Sequence, residues 1–396
     1  MKQTLVFIIF LLSSGFLKGQ DYYSIVYNFP DSILANSSEY DAARYLSYIG
    51  EYQKALECID KHDPTTYILS PEDSAYFKKF HPVNAIEYII NRSKTEQIII
   101  INEAHHQPHH RVFTTELLQG LYDQGYRYLG AETISEGDTA LNKRKYPLLN
   151  TGVYTQEPMY GDLIRTALKI GFFVFPYETT KFVTDSTAGK QREIEQAKNI
   201  KKILDKDPKA KILIHCGYDH IVETELPDWG KAMAGRLTEF TGINPFTINQ
   251  ERLTEHSSLK FDNPYYKMID LKYSAVFVDS TGNLFYGLAN YKQYDVRVYH
   301  PRTIWIDGRP DWVFENNRKP RYINNEIKTG FPCLVFAYLS NECILEKDNY
   351  KKLVPFDIVE LKNREDKKAL SLKKGDYDIL IQDTKGNEQV IKVKEE

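Results

Sequence analysis

Glu103 and four histidines, His105, His106, His109 and His110, crowd into "NEAHHQPHHR" directly after four consecutive isoleucines. A carboxylate close to an imidazole suits general-base chemistry, in which the ring takes a proton from water. The same side chains also ligate zinc, manganese, cobalt or iron at an open site. Three other stretches end in the same way. Glu132 closes "RYLGAE", Glu178 closes "FFVFPYE", and "KILIHCGYDH" carries His215 and, past Gly217, His220. Clustered carboxylates repel one another, so some must be protonated, paired or bound to a cation. Arg192, Gln196 and Asn199 stand at i, i+4 and i+7, on one face of a helical stretch. That face can bring Arg192 to the carboxylates or to an anionic substrate group.

Each piece also has a plainer reading. A glutamate at a strand end often caps a helix or joins an ion pair. His109 and His110 fall where the first turn of the next helix would face solvent. His106 points away from its neighbour His105, so one of the two faces the site. His215 can be a satisfied core histidine. The joint pattern at four strand ends is what lifts the functional reading above these.

Converging side chains need elements to carry them. Apolar runs at 97–102, 127–131, 172–176, 211–215 and 246–249 read as strands covered on both faces. Helical spacing at 111–124, 161–170, 191–205 and 229–240 fills the gaps. The alternation predicts an α/β domain with a mostly parallel sheet and flanking helices. Ligands of such sheets bind beyond the carboxyl ends of the strands. A helical hairpin at about 38–62 comes first, similar to one tetratricopeptide unit, and must pack on another part of the chain. Alternating segments after about 330 predict a β-rich, sandwich-like domain. The expected divisions are 1–20, 21–80, 81–270, 271–330 and 331–396.

The stretch 1–20, with Lys2 ahead of "TLVFIIFLL", reads as a signal peptide. An exported protein, periplasmic or secreted, with a mature start near Gln20 or Asp21 is expected. No later stretch is apolar and long enough to span a membrane. Removing Lys2 and Lys18 takes the formal charge from −3 to −5, which disfavours nucleic acid as a partner. Of the four cysteines, Cys333 and Cys343 are close enough to bridge a hairpin. The 29 tyrosines suit either a binding surface or half-buried sheet positions.

The motifs resemble those of the erythromycin esterase, ChaN-like and TraB–Tiki group. Proteins of that group carry a strand followed by G-E-x-H, a second strand ending in Glu, and a later strand followed by G-x-x-H. Here these read Asn102-Glu103-Ala104-His105, "YLGAE" ending at Glu132, and Gly217-Tyr218-Asp219-His220. The helix "REIEQAKNI" resembles the group's Arg-containing helix, and the likeness covers about 95–250. Asn102 departs from the leading glycine, and the doubled His105-His106 shifts the histidine's alignment. The resemblance implies one of three things. Esterase-like members hydrolyse a lactone with a His base. Tiki-like members are similar to metal-dependent proteases. ChaN-like members bind haem and iron.

The expectation is therefore an exported hydrolase of an ester, lactone or peptide bond. Glu103, His105, Glu132, His220 and Arg192 are its catalytic candidates, and the substrate is a small molecule or peptide. His105, Glu132, Glu178 and His220 are the candidate metal ligands. The alternatives are a haem or iron binder using imidazoles with Tyr177 or Tyr218, and a non-catalytic interaction protein. No G-x-S-x-G elbow is present, which argues against a serine hydrolase of the α/β-hydrolase type.

Overall fold

Residues 26–62, 68–179, 187–287 and 293–396 are described by the structure, a computed structural model; the expected signal peptide lies outside them. A helical hairpin, α1 (Glu39–Tyr48) and α2 (Tyr52–His62), leads to strand β1 (His81–Asn84) and helix α3 (Ala85–Arg92). Then come β2 (Ile98–Glu103), α4 (His109–Asp123), β3 (Tyr126–Ala131), α5 (Pro158–Ile170), β4 (Phe173–Phe175) and α6 (Ala188–Lys206). They are followed by β5 (Lys211–Gly217), α7 (Met233–Thr241) and β6 (Phe246–Asn249). Strand β7 (Ala275–Val278) pairs antiparallel with β1, and β8 (Val296–Arg297) pairs parallel with β6. The central sheet has the order β8-β6-β2-β5-β3-β4, and all its pairs are parallel. This is the expected α/β class with flanking helices.

The isoleucine run serves both faces of that sheet. Successive strand residues point to opposite sides. Ile99 and Ile101 meet Phe113, Leu117, Leu163 and Ile164 of α4 and α5. Ile98 and Ile100 meet Ala197, Ile200, Met233 and Leu237 of α6 and α7. All four isoleucines are fully buried. The strand order has a second consequence. β5 returns between β2 and β3, which sets Glu103 level with Gly217 and Ala131 level with His215. The ends that carry the candidate residues become direct neighbours.

The flanking helices begin two to four residues from where their apolar spacing indicates, and two of the shifts have a clear cause. α5 starts at Pro158 because Glu157 caps it, accepting from the Tyr160 N–H at 2.8 Å, and proline suits the first helical turn. α7 starts at Met233, not 229, and its Met233 N–H is taken at 2.7 Å by Glu193 of the neighbouring α6.

The C-terminal region contributes β9 (Cys333–Leu339), helix α8 (Ser340–Leu345), β10 (Asp357–Leu361), β11 (Leu370–Leu372), β12 (Gly375–Asp383) and β13 (Glu388–Glu395). Four of these strands form an antiparallel sheet in the order β10-β9-β12-β13. One face, with Leu334, Phe336, Tyr338 and Ile358, packs on Ala43, Leu46, Ile49 and Ala55 of the hairpin region. The other face, with Val335, Val359 and Ile379, is covered by Ile323, Leu370 and Leu372. The hairpin thus finds its partner at the far end of the chain. Cys333 of β9 and Cys343 of α8 pack into separate apolar clusters on the two sides of this sheet, and both thiols are free and buried.

Tyr48, Tyr126, Tyr160, Tyr177, Tyr299 and Tyr377 are fully buried, so much of the tyrosine excess fills the interior. Among the described residues no helix is long and apolar enough to cross a membrane.

Phe336 is fully buried and meets Tyr27 edge-on with centroids 5.9 Å apart. Phe336→Ala is expected to cost about 3–5 kcal/mol, read from urea unfolding of the full chain. A loss below about 1 kcal/mol would show that the hairpin and sheet do not share a core.

Candidate functional site

Glu103 is the anchor. It ends β2 with its side chain 1% exposed. Arg111, on the first turn of α4, grips it with Nε to Oε2 and Nη2 to Oε1, both 2.6 Å. His105 Nδ1 lies 2.9 Å from the same Oε1, and His215 Nε2 lies 2.8 Å from Oε2. Burial opposes ionisation of this carboxyl, but Arg111, His105 and His215 outweigh it and hold its pKa well below the usual range. Arg111 also reaches Glu157 at 2.9 Å and the His105 carbonyl at 3.0 Å. Burial pushes the Glu157 carboxyl up even beside that guanidinium.

His105 is wedged between aromatic rings. Tyr154 stacks on it with centroids 3.8 Å apart, and Tyr218 meets it edge-on at 4.9 Å. Burial lowers its pKa against the pull of Glu103 and Glu132, so its ring is neutral at neutral pH. Its far edge lies against Gly217. A Cβ there would sit 2.6 Å from His105 Nε2 and 2.9 Å from Glu132 Oε2. Glycine is needed for space here, not for a left-handed turn, because Gly217 has φ −90°. The left-handed residue is Tyr218, with φ +39°.

Glu132 is the junction with the second half. Its Oε2 accepts from the Gly217 N–H at 2.5 Å, and its Oε1 from Arg192 Nη2 at 2.7 Å. Arg192 also donates to Glu178 at 3.0 and 2.5 Å, and its Nη1 is 2.9 Å from His220 Nε2. The expected polar stripe on this helix is present. Gln196 donates to Glu178 at 3.1 Å, and Asn199 donates to the carbonyls of Tyr177 and Glu178, each at 3.1 Å. His220 Nδ1 lies 2.8 Å from Glu193, and Trp229 stacks on its ring at 5.5 Å. Burial and Arg192 push the His220 pKa down, whereas Glu193 and Glu132 prevail and raise it to about 10. Arg192 at 2.9 Å opposes that charge, but Glu132 and Glu178 balance Arg192, and Glu193 meets the His220 cation. The proton on Nε2 then faces Glu132 Oε1, 3.5 Å away.

The structure therefore gathers Glu103, His105, Glu132, Glu178, Arg192, His215 and His220 at one edge of the sheet. The shared metal expected for His105, Glu132, Glu178 and His220 is not what organises them. Among the described residues no group of three or more His, Cys, Asp or Glu side chains is placed to hold a metal ion. The physical reason is Arg192. Its guanidinium holds both Glu178 oxygens and one of Glu132, and faces the outer nitrogen of His220. These donors are committed to a fixed organic cation and do not fit a divalent ion.

The remaining histidines divide. His110 Nδ1 accepts from the Ala104 N–H at 3.0 Å, a structural bond that shapes the turn after β2. His109 does not face solvent freely. It stacks on Trp312 at 5.2 Å and lies 4.7 Å from His300. His106 turns away from the cluster and lines a cavity of about 360 Å³. Ala104 lines it too, but His105, Glu132, Glu178, Arg192 and His220 do not. Tyr177 is fully buried and donates to the His215 carbonyl at 3.1 Å. Asn102, in place of the glycine, bridges Tyr218 and Gln250 at 2.9 and 2.8 Å through its side chain.

Reading the sequence missed Arg111, Glu157, Glu193, Tyr154 and Trp229. Arg111 had one available signal: it follows the histidines on the first turn of the helix that returns across β2. Glu193 had a weaker one, as the acid next to Arg192.

Glu103→Gln removes the charge that balances Arg111. A loss of about 3–5 kcal/mol in urea unfolding is expected, and a loss near zero would show that Glu103 anchors nothing. Burial also holds His105, His106, His109, His110 and His300 below the ordinary imidazole range, His106 and His109 at about 3. Such groups stay neutral in the fold and protonate in the unfolded chain below pH ~6.5. Stability should fall steeply from pH 6.5 to 5, by about 1.4 kcal/mol per pH unit for each such ring. His220 has the opposite sign: its contribution is complete below pH ~6.5 and is lost as pH rises towards about 10. An unfolding midpoint unchanged from pH 7 to 5 would refute the acid limb.

No family model matches the sequence, and a search of curated proteins finds no match. Solved structures show low similarity. The type III effector HopBA1 has a TM-score of 0.36 at 10% identity, over 56% of this chain and 96% of that one. ChaN of Campylobacter jejuni, described for cofacial haem binding, has a TM-score of 0.31 at 11% identity, over 46% and 94%. The MARTX toxin effector domain RRSP from Vibrio vulnificus has 0.30 at 12% identity, over 62% of this chain and 55% of that one. Of the three branches of the sequence resemblance, ChaN is among these structures, and neither an erythromycin esterase nor a TraB–Tiki protein is.

Proposed function

We propose that the chain is an exported hydrolase of an ester, lactone or peptide bond, working through paired imidazoles on either side of Glu132. The observation that carries this reading is the 2.9 Å contact between His105 Nδ1 and Glu103, a carboxylate that Arg111 keeps ionised. A proton on Nδ1 donates to Glu103, which leaves the lone pair on Nε2 at the edge facing Gly217 and Glu132. His105 is then a general base oriented by a buried acid. It takes a proton from water as the water attacks the carbonyl carbon. The imidazolium that forms is met by Glu103 and Glu132.

His220, raised to about 10, supplies the complementary acid. Its Nε2–H can stabilise the developing oxyanion or protonate the leaving group. Arg192 is 34% exposed at its side chain and Glu178 21%, so these two are the members of the cluster that solvent reaches most. Arg192 shares its charge between Glu132 and Glu178, and a substrate oxygen would join that network. Haem is the competing reading, with His106 and His256 on the wall of a cavity. Export rests on the N-terminal stretch, and mass spectrometry of the secreted chain should find a start near Gln20 or Asp21.

A panel of ester, lactone and peptide substrates tests the reading, with His105→Ala and His220→Gln as controls. His105→Ala should lower kcat by about 10²–10⁴-fold. The pH profile should be a broad bell, with its acid limb below ~6.5 and its alkaline limb near 10 from His220. His220→Gln should abolish the alkaline limb. Equal turnover by His105→Ala and parent sinks the catalytic assignment, and a Soret band in the purified protein would favour the haem reading.

A further inference from the structure

Arg297 ends β8 in register with Asn249 of β6, at the carboxyl edge of the parallel sheet. Ligands of open α/β sheets bind at that edge. Its Nη1 presses against Gly287, where a Cβ would come within 2.5 Å. Its guanidinium lies 5.5 Å from the Tyr294 ring centroid, and its Nε is buried with no hydrogen-bond partner among the described residues. Among the described residues no carboxylate is paired with it. The acids nearby are engaged elsewhere. Asp219 and Glu251 hold Arg252, at 2.9 and 3.3 Å. Asp60 accepts from His256 Nδ1 at 2.5 Å and from the Ser257 N–H at 2.8 Å. A partly buried guanidinium without a counter-ion is unfavourable, and an anion placed on it would relieve that state.

Arg297 lines the cavity of about 360 Å³ described above, together with Arg252, Asp60, Glu251 and His256. Leu56, Ile59, Leu253 and Phe261 form its apolar wall. We infer that this cavity binds a small monocarboxylate, its carboxylate on the Arg297 fork and its apolar body against Leu56, Ile59, Leu253 and Phe261. The volume falls in the range of small-molecule sites, roughly 300–1,000 Å³. The planar guanidinium matches a carboxylate through two parallel bonds. A dianion such as phosphate is disfavoured, because Asp60 and Glu251 border the same space and would repel a second charge. The site adjoins the His105 cluster through Ala104 and His106 and does not depend on hydrolysis there.

Isothermal titration of the full chain reads this directly, with benzoate and hexanoate as probes and benzamide and inorganic phosphate as comparators. At least one of the two carboxylates should bind saturably, with Kd of about 1 mM or tighter. It should bind at least about tenfold better than benzamide or phosphate. Arg297→Gln should weaken it at least about tenfold, and Arg297→Lys, which keeps the charge but loses the fork, should weaken it less. His105→Ala should leave the affinity unchanged, so binding and catalysis can fail separately. Four outcomes each overturn the inference: no saturable binding of either carboxylate, benzamide equal to benzoate, phosphate preferred, or full affinity in Arg297→Gln. If the glutamine variant does not fold, the wild-type comparison of benzoate with benzamide and the lysine variant still decide.

Discussion

A carboxylate buried at the end of a β-strand must have its charge balanced, and Glu103 is balanced by Arg111. Much of the site follows from that pair. Arg111 can reach Glu103 because α4 begins at His109 and its first turn lies beyond the end of β2. Glu103 then has oxygen lone pairs left for His105 on one side and His215 on the other. The guanidinium donates onward to Glu157, which also caps α5. One ion pair thus links a strand end, two helix starts and both imidazoles. Such a pair gives little net stability over apolar packing, but it makes the arrangement of its neighbours specific, because each alternative leaves a buried charge unmet.

The flanking regions are part of the same construction. The short segment around Tyr154–Gln156 supplies the ring that stacks on His105, and it is clamped from outside the α/β region. Tyr48 of the hairpin donates to the Val153 carbonyl at 3.0 Å, and Tyr27 donates to the Gln156 carbonyl at 2.6 Å. Tyr40 of the hairpin lies against Tyr218, with centroids 6.4 Å apart. Arg165 of α5 forms a bidentate pair with Glu342 of α8, both bonds 2.7 Å. The hairpin therefore braces the rings around His105, and the C-terminal region braces α5.

Arg192 gives the second half of the site its character. A metal ion could have gathered Glu132, Glu178 and His220, but a guanidinium on α6 does so instead. It brings five N–H donors in a fixed plane and no open coordination position. A guanidinium does not acidify a bound water as zinc does, and the proposed hydrolysis assigns proton transfer to the imidazoles instead. The strand ends also carry two non-glycine residues in the left-handed region, Thr133 at φ +63° and Tyr218 at φ +39°. Thr133 follows Glu132, and Tyr218 follows Gly217, whose N–H donates to Glu132; such strain is commonly kept beside functional groups.

The sequence by itself determined the local facts. The isoleucine run had to be a strand buried on both faces, because no residue in it could face water. Carboxylates and imidazoles at 103, 105, 132, 178, 215 and 220 had to lie at strand ends, because each follows an apolar run. Arg192, Gln196 and Asn199 had to share a helix face by their spacing. What only the tertiary structure decided was which of these groups meet. β5 returns between β2 and β3, a choice of strand order that no local pattern encodes. That order sets Gly217 against His105 and Glu132, and it turns α6 so that Arg192 takes the place foreseen for a metal. Pairing of Glu103 with Arg111, of His220 with Glu193 and of the hairpin with the last sheet joins residues through contacts across layers. Periodicity states which face of an element is apolar or charged, and only packing states what that face touches.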